Sequence, residues 1–279
     1  MQSGVIAVIT DFGLDNWYPG VMKGAILDVN PGARIVDLCH NITRHDISEA
    51  AFVLGVSFSY FPEGTIFVCV VDPGVGGERR NLIVETDEYL FVAPDNGLLT
   101  NISNRVKVRN AYSVRQGEYT RVINGDTFLG RDIFAPIAAH LSLGTPPGDI
   151  GEEVDSILTI PLRKPYLNRK NNITAKAGYI DSFGNIITNV NLDYLKKVFS
   201  GRIPWDNCIV RICGREIQGI KRFYAESSRG ELAALINSWG YLEIAVNRGS
   251  AYDKLGCGDK NLMDISILSN KLHYRDTDR

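Results

Sequence analysis

Four short segments of this sequence carry polar side chains whose types and spacing suit chemistry. Asp11 stands in Thr10-Asp11-Phe12-Gly13, directly after an apolar run. Ligands of an open α/β sheet sit beyond the carboxyl ends of its strands, and a carboxylate there accepts both hydroxyls of a ribose. The plainer reading of Asp11 is a turn or helix-capping residue. Asp72-Pro73-Gly74-Val75-Gly76-Gly77-Glu78-Arg79 follows the most strand-like stretch of the chain. Its glycines let backbone approach a ligand closely, and Asp72 and Arg79 can meet across the loop, as a catalytic pair or as a structural ion pair. Asp181-Ser182-Phe183-Gly184-Asn185 reads first as an Asx-rich turn, and Asn237-Ser238-Trp239-Gly240 as a hairpin. Glu243 follows among apolar neighbours, where a buried carboxylate needs partners.

Several chemistries find no support. Asp11-Phe12-Gly13 spells the metal-binding triplet of protein kinases, but only ten residues precede it, too few for the other kinase motifs. The Asp72 loop lacks the Gly-Lys-Ser/Thr of a phosphate-binding loop and a full GxGxxG. The four histidines (His40, His45, His140, His273) show no HxH or HExxH spacing, and no cysteine cluster accompanies them, so no metal is expected. No GxSxG elbow is present.

The elements that must position these residues follow from periodicity. Residues 5–9, 35–38 and 65–71 read as buried strands, 16–29 and 46–60 as helices, with Asp46 as a cap and Asn30-Pro31-Gly32 as a stop. Strand, helix, strand, helix, strand implies right-handed crossovers and a mostly parallel sheet. Residues 82–85 and 89–92 look like a hairpin, and 131–143 a late helix. A basic, proline-punctuated stretch from Pro161 to Asn172 reads as a linker. Beyond it, strand signals at 173–180, 186–190, 208–213, 232–237, 241–246 and 263–268 suggest a small β-barrel or sandwich.

Composition fits a two-domain globular chain: 279 residues, 44% hydrophobic and 22% charged. Thirty Lys and Arg against thirty-two Asp and Glu give a net charge of −2, without the basic surplus of a nucleic-acid binder. Apolar runs fall far short of the ~20 residues of a membrane helix, and no signal peptide opens the sequence. Five cysteines (Cys39, Cys69, Cys208, Cys213, Cys257) without a CxxC pair suggest reduced thiols and a cytoplasmic protein.

Six segments occur in the order of a known family. They are Ile9-Thr10-Asp11-Phe12-Gly13; Val71-Asp72-Pro73-Gly74-Val75-Gly76 with Arg79; Ala93-Pro94-Asp95-Asn96-Gly97; Gly130-Arg131-Asp132-Ile133-Phe134-Ala135-Pro136; Asp181-Ser182-Phe183-Gly184-Asn185; and Gly240-Tyr241-Leu242-Glu243-Ile244-Ala245-Val246. Together they resemble the S-adenosyl-L-methionine hydroxide adenosyltransferase (SAM hydrolase) family, relatives of the fluorinase and chlorinase, from the first strand to about Tyr252. The resemblance implies an α/β domain over 1–162, carrying the ribose and nucleophile side of the site. It also implies a smaller barrel-like domain over 173–279, carrying the adenine and methionine side. It implies a homotrimer that binds substrate between the first domain of one subunit and the second domain of the next. Nucleophilic substitution at C5′ would give adenosine and L-methionine, with SAM as substrate and no cofactor. By the same resemblance Asp11 holds the ribose hydroxyls, Asp181 faces the methionine ammonium, and Asn185 reads the adenine edge. Ser238, Glu243 and the backbone at Val246 complete the contacts, and Asp72 and Arg79 match two members of an Asp-Arg-His set that activates water.

The sequence departs from the family at one point. Where the family reads Thr-Phe-His-Gly-Arg-Asp, this chain has Thr127-Phe128-Leu129-Gly130-Arg131-Asp132. A sulfonium leaves as a neutral thioether and needs no general acid, so the site's main tasks are in-line positioning and orientation of one water. A carboxylate beside an arginine suits orienting that water better than deprotonating it. The expectation is an adenosine-forming SAM hydrolase slowed by Leu129. The alternatives are an adenosyl transferase using another nucleophile and a non-catalytic SAM or adenosine binder. Asp72 argues against halide, because a carboxylate beside the nucleophile position repels an anion.

Overall fold

The computed structural model describes residues 3–122, 125, 127–201, 203, 205–260 and 263–269. His273 and the last ten positions of the expected 173–279 domain lie outside the described residues. The chain divides into two compact units, one ending at Pro161 and one starting at Leu162.

The first unit runs β1 (Val5–Thr10), α1 (Tyr18–Val29), β2 (Arg34–Cys39), α2 (Ile47–Ser57), β3 (Ile66–Val70), β4 (Asn81–Thr86), β5 (Leu90–Pro94), α3 (Thr100–Ser103), β6 (Val108–Val114), α4 (Ala135–Ser142), α5 (Pro147–Ile150) and β7 (Glu152–Glu153). Its sheet has the order β2-β1-β3-β5-β4-β6-β7. The β2, β1, β3 and β5 strands are mutually parallel. The expected hairpin then adds β4 antiparallel to β5, and β6 and β7 each join antiparallel to the strand before them, so the sheet is mixed. β1 is buried along its whole length, as a strand covered on both faces must be. Its residues alternate between two cores: Ile6 and Val8 pack with Met22 and Ile26 of α1 and Ile137 of α4, while Ala7 and Ile9 pack with Leu54 of α2 and Phe67 of β3. Asp46 caps α2 through the Glu49 N–H at 2.9 Å, as expected.

The expected 131–143 helix is two pieces, a π-helical turn over Gly130–Phe134 and then α4. Pro136, at the start of α4, has no N–H to continue the ladder back into the preceding turn.

The second unit runs β8 (Tyr166–Leu167), β9 (Ile173–Ile180), β10 (Ile186–Asn191), α6 (Leu192–Val198), β11 (Cys208–Ile212), β12 (Arg215–Gln218), β13 (Leu232–Ile236), β14 (Tyr241–Val246), α7 (Ala251–Leu255) and β15 (Asp264–Ser269). The antiparallel order is β12-β11-β15-β9-β10-β14-β13, with β8 on β9. Just past β12, Lys221 bridges Leu235 of β13, which nearly closes the sheet into a barrel. Ile186, Ala234, Leu242 and Ile244 point into its core. The stretch read as a linker contributes to this unit, since the Arg163 carbonyl accepts a 2.6 Å bond from Asn189 Nδ2 and β8 pairs with β9.

One expectation is corrected. Cys213 and Cys257 are joined in a disulfide, whereas the odd cysteine count without CxxC had suggested reduced thiols. The pair is 44 residues apart in sequence and brings the β11–β12 turn to the segment after α7, a proximity that spacing along the chain does not reveal.

Candidate active site

In the first unit, the site residues sit at the carboxyl ends of adjacent parallel strands. The register Thr10 to Val70 between β1 and β3 sets Asp11 and Asp72 beyond the same sheet edge. The turn after β1 needs Gly13 at φ 76°, where a glycine has no steric penalty. Asp11 Oδ2 accepts the backbone N–H of His45 at 2.9 Å. Among the described residues no donor to Asp11 Oδ1 is found, so that oxygen is open to a ligand hydroxyl.

Asp72 and Arg79 do meet. Arg79 Nε donates to Asp72 Oδ1 at 2.9 Å, and its NH2 group donates to Oδ2. Both side chains are largely buried. NH1 of Arg79 turns away to Asn81 Oδ1 and the Arg80 carbonyl, and the guanidinium lies 5.6 Å from the centroid of the Phe134 ring. The fork therefore fixes the plane of the Asp72 carboxylate while each oxygen keeps a lone pair for a water.

Leu129 is 8% exposed and belongs to the core that holds Met22 and Phe134. The side chain at position 129 is thus apolar and packed. Phe128 beside it stacks edge-on to Phe12 at 5.8 Å and to Tyr18 at 4.9 Å, which ties this segment to the Asp11 turn.

The second unit brings its own group together. The turn between β9 and β10 is closed by Asp181: Oδ1 accepts the N–H groups of Phe183 and Asn185, each at 2.9 Å, and Oδ2 accepts Asn185 Nδ2 at 2.9 Å. The plainer Asx-turn reading is therefore correct as local structure. It also orients Asn185, whose amide nitrogen must face Asp181, leaving its oxygen to accept from a ligand amine. Gly184 is required here at φ 77°, since a Cβ would lie 2.0 Å from Ser250 Oγ. Tyr252 donates its N–H to the Gly184 carbonyl at 2.9 Å, and Gly249 donates to the carbonyl of Val246 at 3.1 Å. Val246 thereby borders the Asp181 turn.

Glu243 is 3% exposed on the β14 face opposite the barrel core, across from Ile187 and Leu235. Its partners are Tyr224, whose hydroxyl donates to Oε1 at 2.7 Å, and Asn237, whose Nδ2 donates to Oε2 at 3.1 Å. Burial pushes the Glu243 carboxyl above its ordinary pKa and the negative charge of Asp181 adds to this, against the two hydrogen bonds. Tyr224 is likewise raised, first by burial and then by Glu243. Ser238 is exposed at the tip of the β13–β14 turn and connects to this group through Asn237, which also braces the turn by accepting from Trp239 and Tyr241.

Sequence reasoning missed Tyr224 and the side-chain role of Asn237. The apolar setting of Glu243 announced that partners were needed without saying which. Among the described residues no three His, Cys, Asp or Glu side chains gather to hold a metal. No helix among them is long and apolar enough to cross a membrane.

Residues 6–151 match the SAM hydroxide adenosyltransferase N-terminal domain, and residues 175–263 match its C-terminal domain. The chain is 35% identical over 269 residues to the (R)-S-adenosyl-L-methionine hydrolase of Thermus thermophilus, covering 93% of this chain and 98% of the relative. It is 27% identical to a fluorinase of Nocardia brasiliensis, covering 88% and 91%. A crystal structure of an uncharacterized conserved protein from Thermotoga maritima superposes with a TM-score of 0.85 at 34% identity, over 94% of this chain and 99% of the other.

Proposed function

Because the chain belongs to the SAM hydroxide adenosyltransferase family, we propose that it hydrolyses S-adenosyl-L-methionine to adenosine and L-methionine, and that Asp72 orients the attacking water. The observation that carries this reading is the two-pronged Arg79–Asp72 pair at the end of β3, beside the Asp11 turn. Asp11 would accept the ribose hydroxyls. The water oxygen forms a bond to C5′ as the C5′–sulfur bond breaks, and that electron pair stays on sulfur, releasing the neutral thioether of methionine. The attacking water becomes strongly acidic as its oxygen bonds to C5′, so even a carboxylate held by arginine takes its proton. Attack on a cation without a new charge at the leaving group is favoured where water is excluded. Asn185 would accept from the adenine amine, Asp181 would face the methionine ammonium, and Glu243, Ser238 and the Val246 backbone would complete the pocket.

In this reading the protein is a homotrimer in which the first unit of one copy meets the second unit of the next at each site. Exposed apolar side chains beside each half support it: Leu14 and Trp17 (70% exposed) next to the Asp11 turn, Phe183 (76%) on the Asp181 turn, and Trp239. Light scattering on the purified protein tests this, and a monomer with full adenosine affinity would overturn it. SAM as small-molecule substrate and no further cofactor complete the proposal.

Incubation with SAM followed by chromatography of the products tests the reaction. Adenosine and methionine are expected. A 5′-substituted nucleoside would point to another nucleophile, and unreacted SAM retained on the protein to a binding protein; Leu129, in place of the family histidine, is the feature that favours those two outcomes.

A further inference from the structure

The Asp11 turn is clasped by the segment that follows β2. Gly13 donates its N–H to the His40 carbonyl at 2.7 Å, and His45 donates its N–H to Asp11. Beneath these, a chain of side chains crosses three elements. Lys23 of α1 pairs with Asp37 Oδ2 at 2.7 Å, His40 Nε2 lies 3.0 Å from Asp37 Oδ1, and His40 Nδ1 lies 2.8 Å from Thr10 Oγ1. Thr10 Oγ1 in turn accepts the backbone N–H of Phe12 at 3.2 Å. His40 and Thr10 are 2% and 0% exposed, so water cannot replace the bond between them.

The direction of each bond follows from chemistry. The Asp37 pKa is raised by burial but lowered more by the bonds from Lys23 and His40, which leaves it below the usual range. As an ionised carboxylate it only accepts, so His40 Nε2 carries the proton. With the ring proton on Nε2, Nδ1 accepts from the Thr10 hydroxyl, whose oxygen is left to hold the Phe12 N–H. Every link points one way, and the last one fixes the peptide that follows Asp11.

We propose that His40 is a positioning residue for Asp11, acting through Thr10 to hold the carboxylate where ribose hydroxyls meet it. This rests on the reading of Asp11 as the ribose contact. A role confined to stability would weaken every ligand alike, whereas a role through Asp11 weakens only ligands that carry the hydroxyls.

The test is calorimetry with adenosine and with 2′,3′-dideoxyadenosine. His40→Gln keeps a donor for Asp37 and removes the acceptor for Thr10; His40→Asn keeps an acceptor at the Nδ1 position. His40→Gln is expected to bind adenosine about tenfold more weakly, the worth of one good hydrogen bond, with dideoxyadenosine affinity unchanged. His40→Asn is expected to restore most of the loss. Thr10→Val, which fills the same space without the hydroxyl, should repeat the selective loss and decides the matter should His40→Gln not fold. Variants that keep the wild-type preference for adenosine, or that lose both ligands equally, overturn the positioning role. A wild type that binds both nucleosides equally overturns the Asp11 assignment itself, and this inference with it.

Discussion

The two units present their polar groups in opposite ways. At the end of β1 and β3, Asp11 has, among the described residues, one partner on one oxygen, and Asp72 is gripped in plane by Arg79 with lone pairs to spare. In the barrel, both oxygens of Asp181 and both of Glu243 are already engaged by protein donors. The first arrangement is preorganised to act on a ligand with little rearrangement, which is what stabilising a transition state requires. The second is a latched surface, in which a ligand adds to or displaces internal hydrogen bonds and selectivity comes from groups left unpaired by a wrong fit. The two arrangements differ in kind, one suited to chemistry and the other to recognition.

Substitutions in each half sharpen or break that division. The largest effect is expected from Leu129→His in the first unit. In the proposed reaction an imidazole at this position would give the water on Asp72 a second polar neighbour. We expect single-turnover adenosine release to rise by about 10²-fold, the low end of general acid–base contributions, because the site is packed around leucine. The gain should vanish when Asp72→Ala is added, since residues acting as one unit are not additive. A Leu129→His protein that folds, binds SAM and is no faster removes position 129 from the water's environment.

Next in size is Asp11→Ala, which should weaken adenosine binding by roughly 1.5–3 kcal/mol, the range for hydrogen bonds to a charged group. Unchanged affinity in a folded variant, measured by calorimetry, sinks the ribose assignment and with it the picture of an open first half.

The smallest effect belongs to the barrel and is read against pH. Glu243 has its pKa raised above the reference 4.5, mainly by burial. Above 4.5 an unfolded chain ionises this group while the folded one still resists. Its contribution to stability is therefore greatest below that pH and declines as pH rises through the raised folded value. Glu243→Gln cannot titrate, so the melting temperature of wild type relative to this variant should fall with rising pH across that window. Tyr224→Phe removes one of the two donors, raises the carboxyl further and should extend the decline upward. A wild-type-minus-variant difference that stays flat with pH shows that Glu243 is not the buried acid described here.

Much of this was legible along the chain. The β1, β3, β9, β10, β13 and β14 strands were marked by unbroken or alternating apolar runs, and the turns carrying Asp11, Asp72 and Asp181 by their Asp, Gly and Asn residues. Capping of α2 by Asp46 was readable because donor and acceptor lie three residues apart. Such features depend on neighbours in sequence, so local spacing determines them.

The rest was decided across the sheets. Tyr224 reaches Glu243 from 19 residues away, Cys213 finds Cys257 from 44, and His40 meets Thr10 from 30. Each pairing depends on strand order and register, which bring distant segments side by side, and no periodicity within one segment records them. The sequence by itself determined which residues lie at strand ends and turns. Only the tertiary structure decided which of them share hydrogen bonds, because a buried polar atom takes its partner from whichever segment the sheet sets beside it.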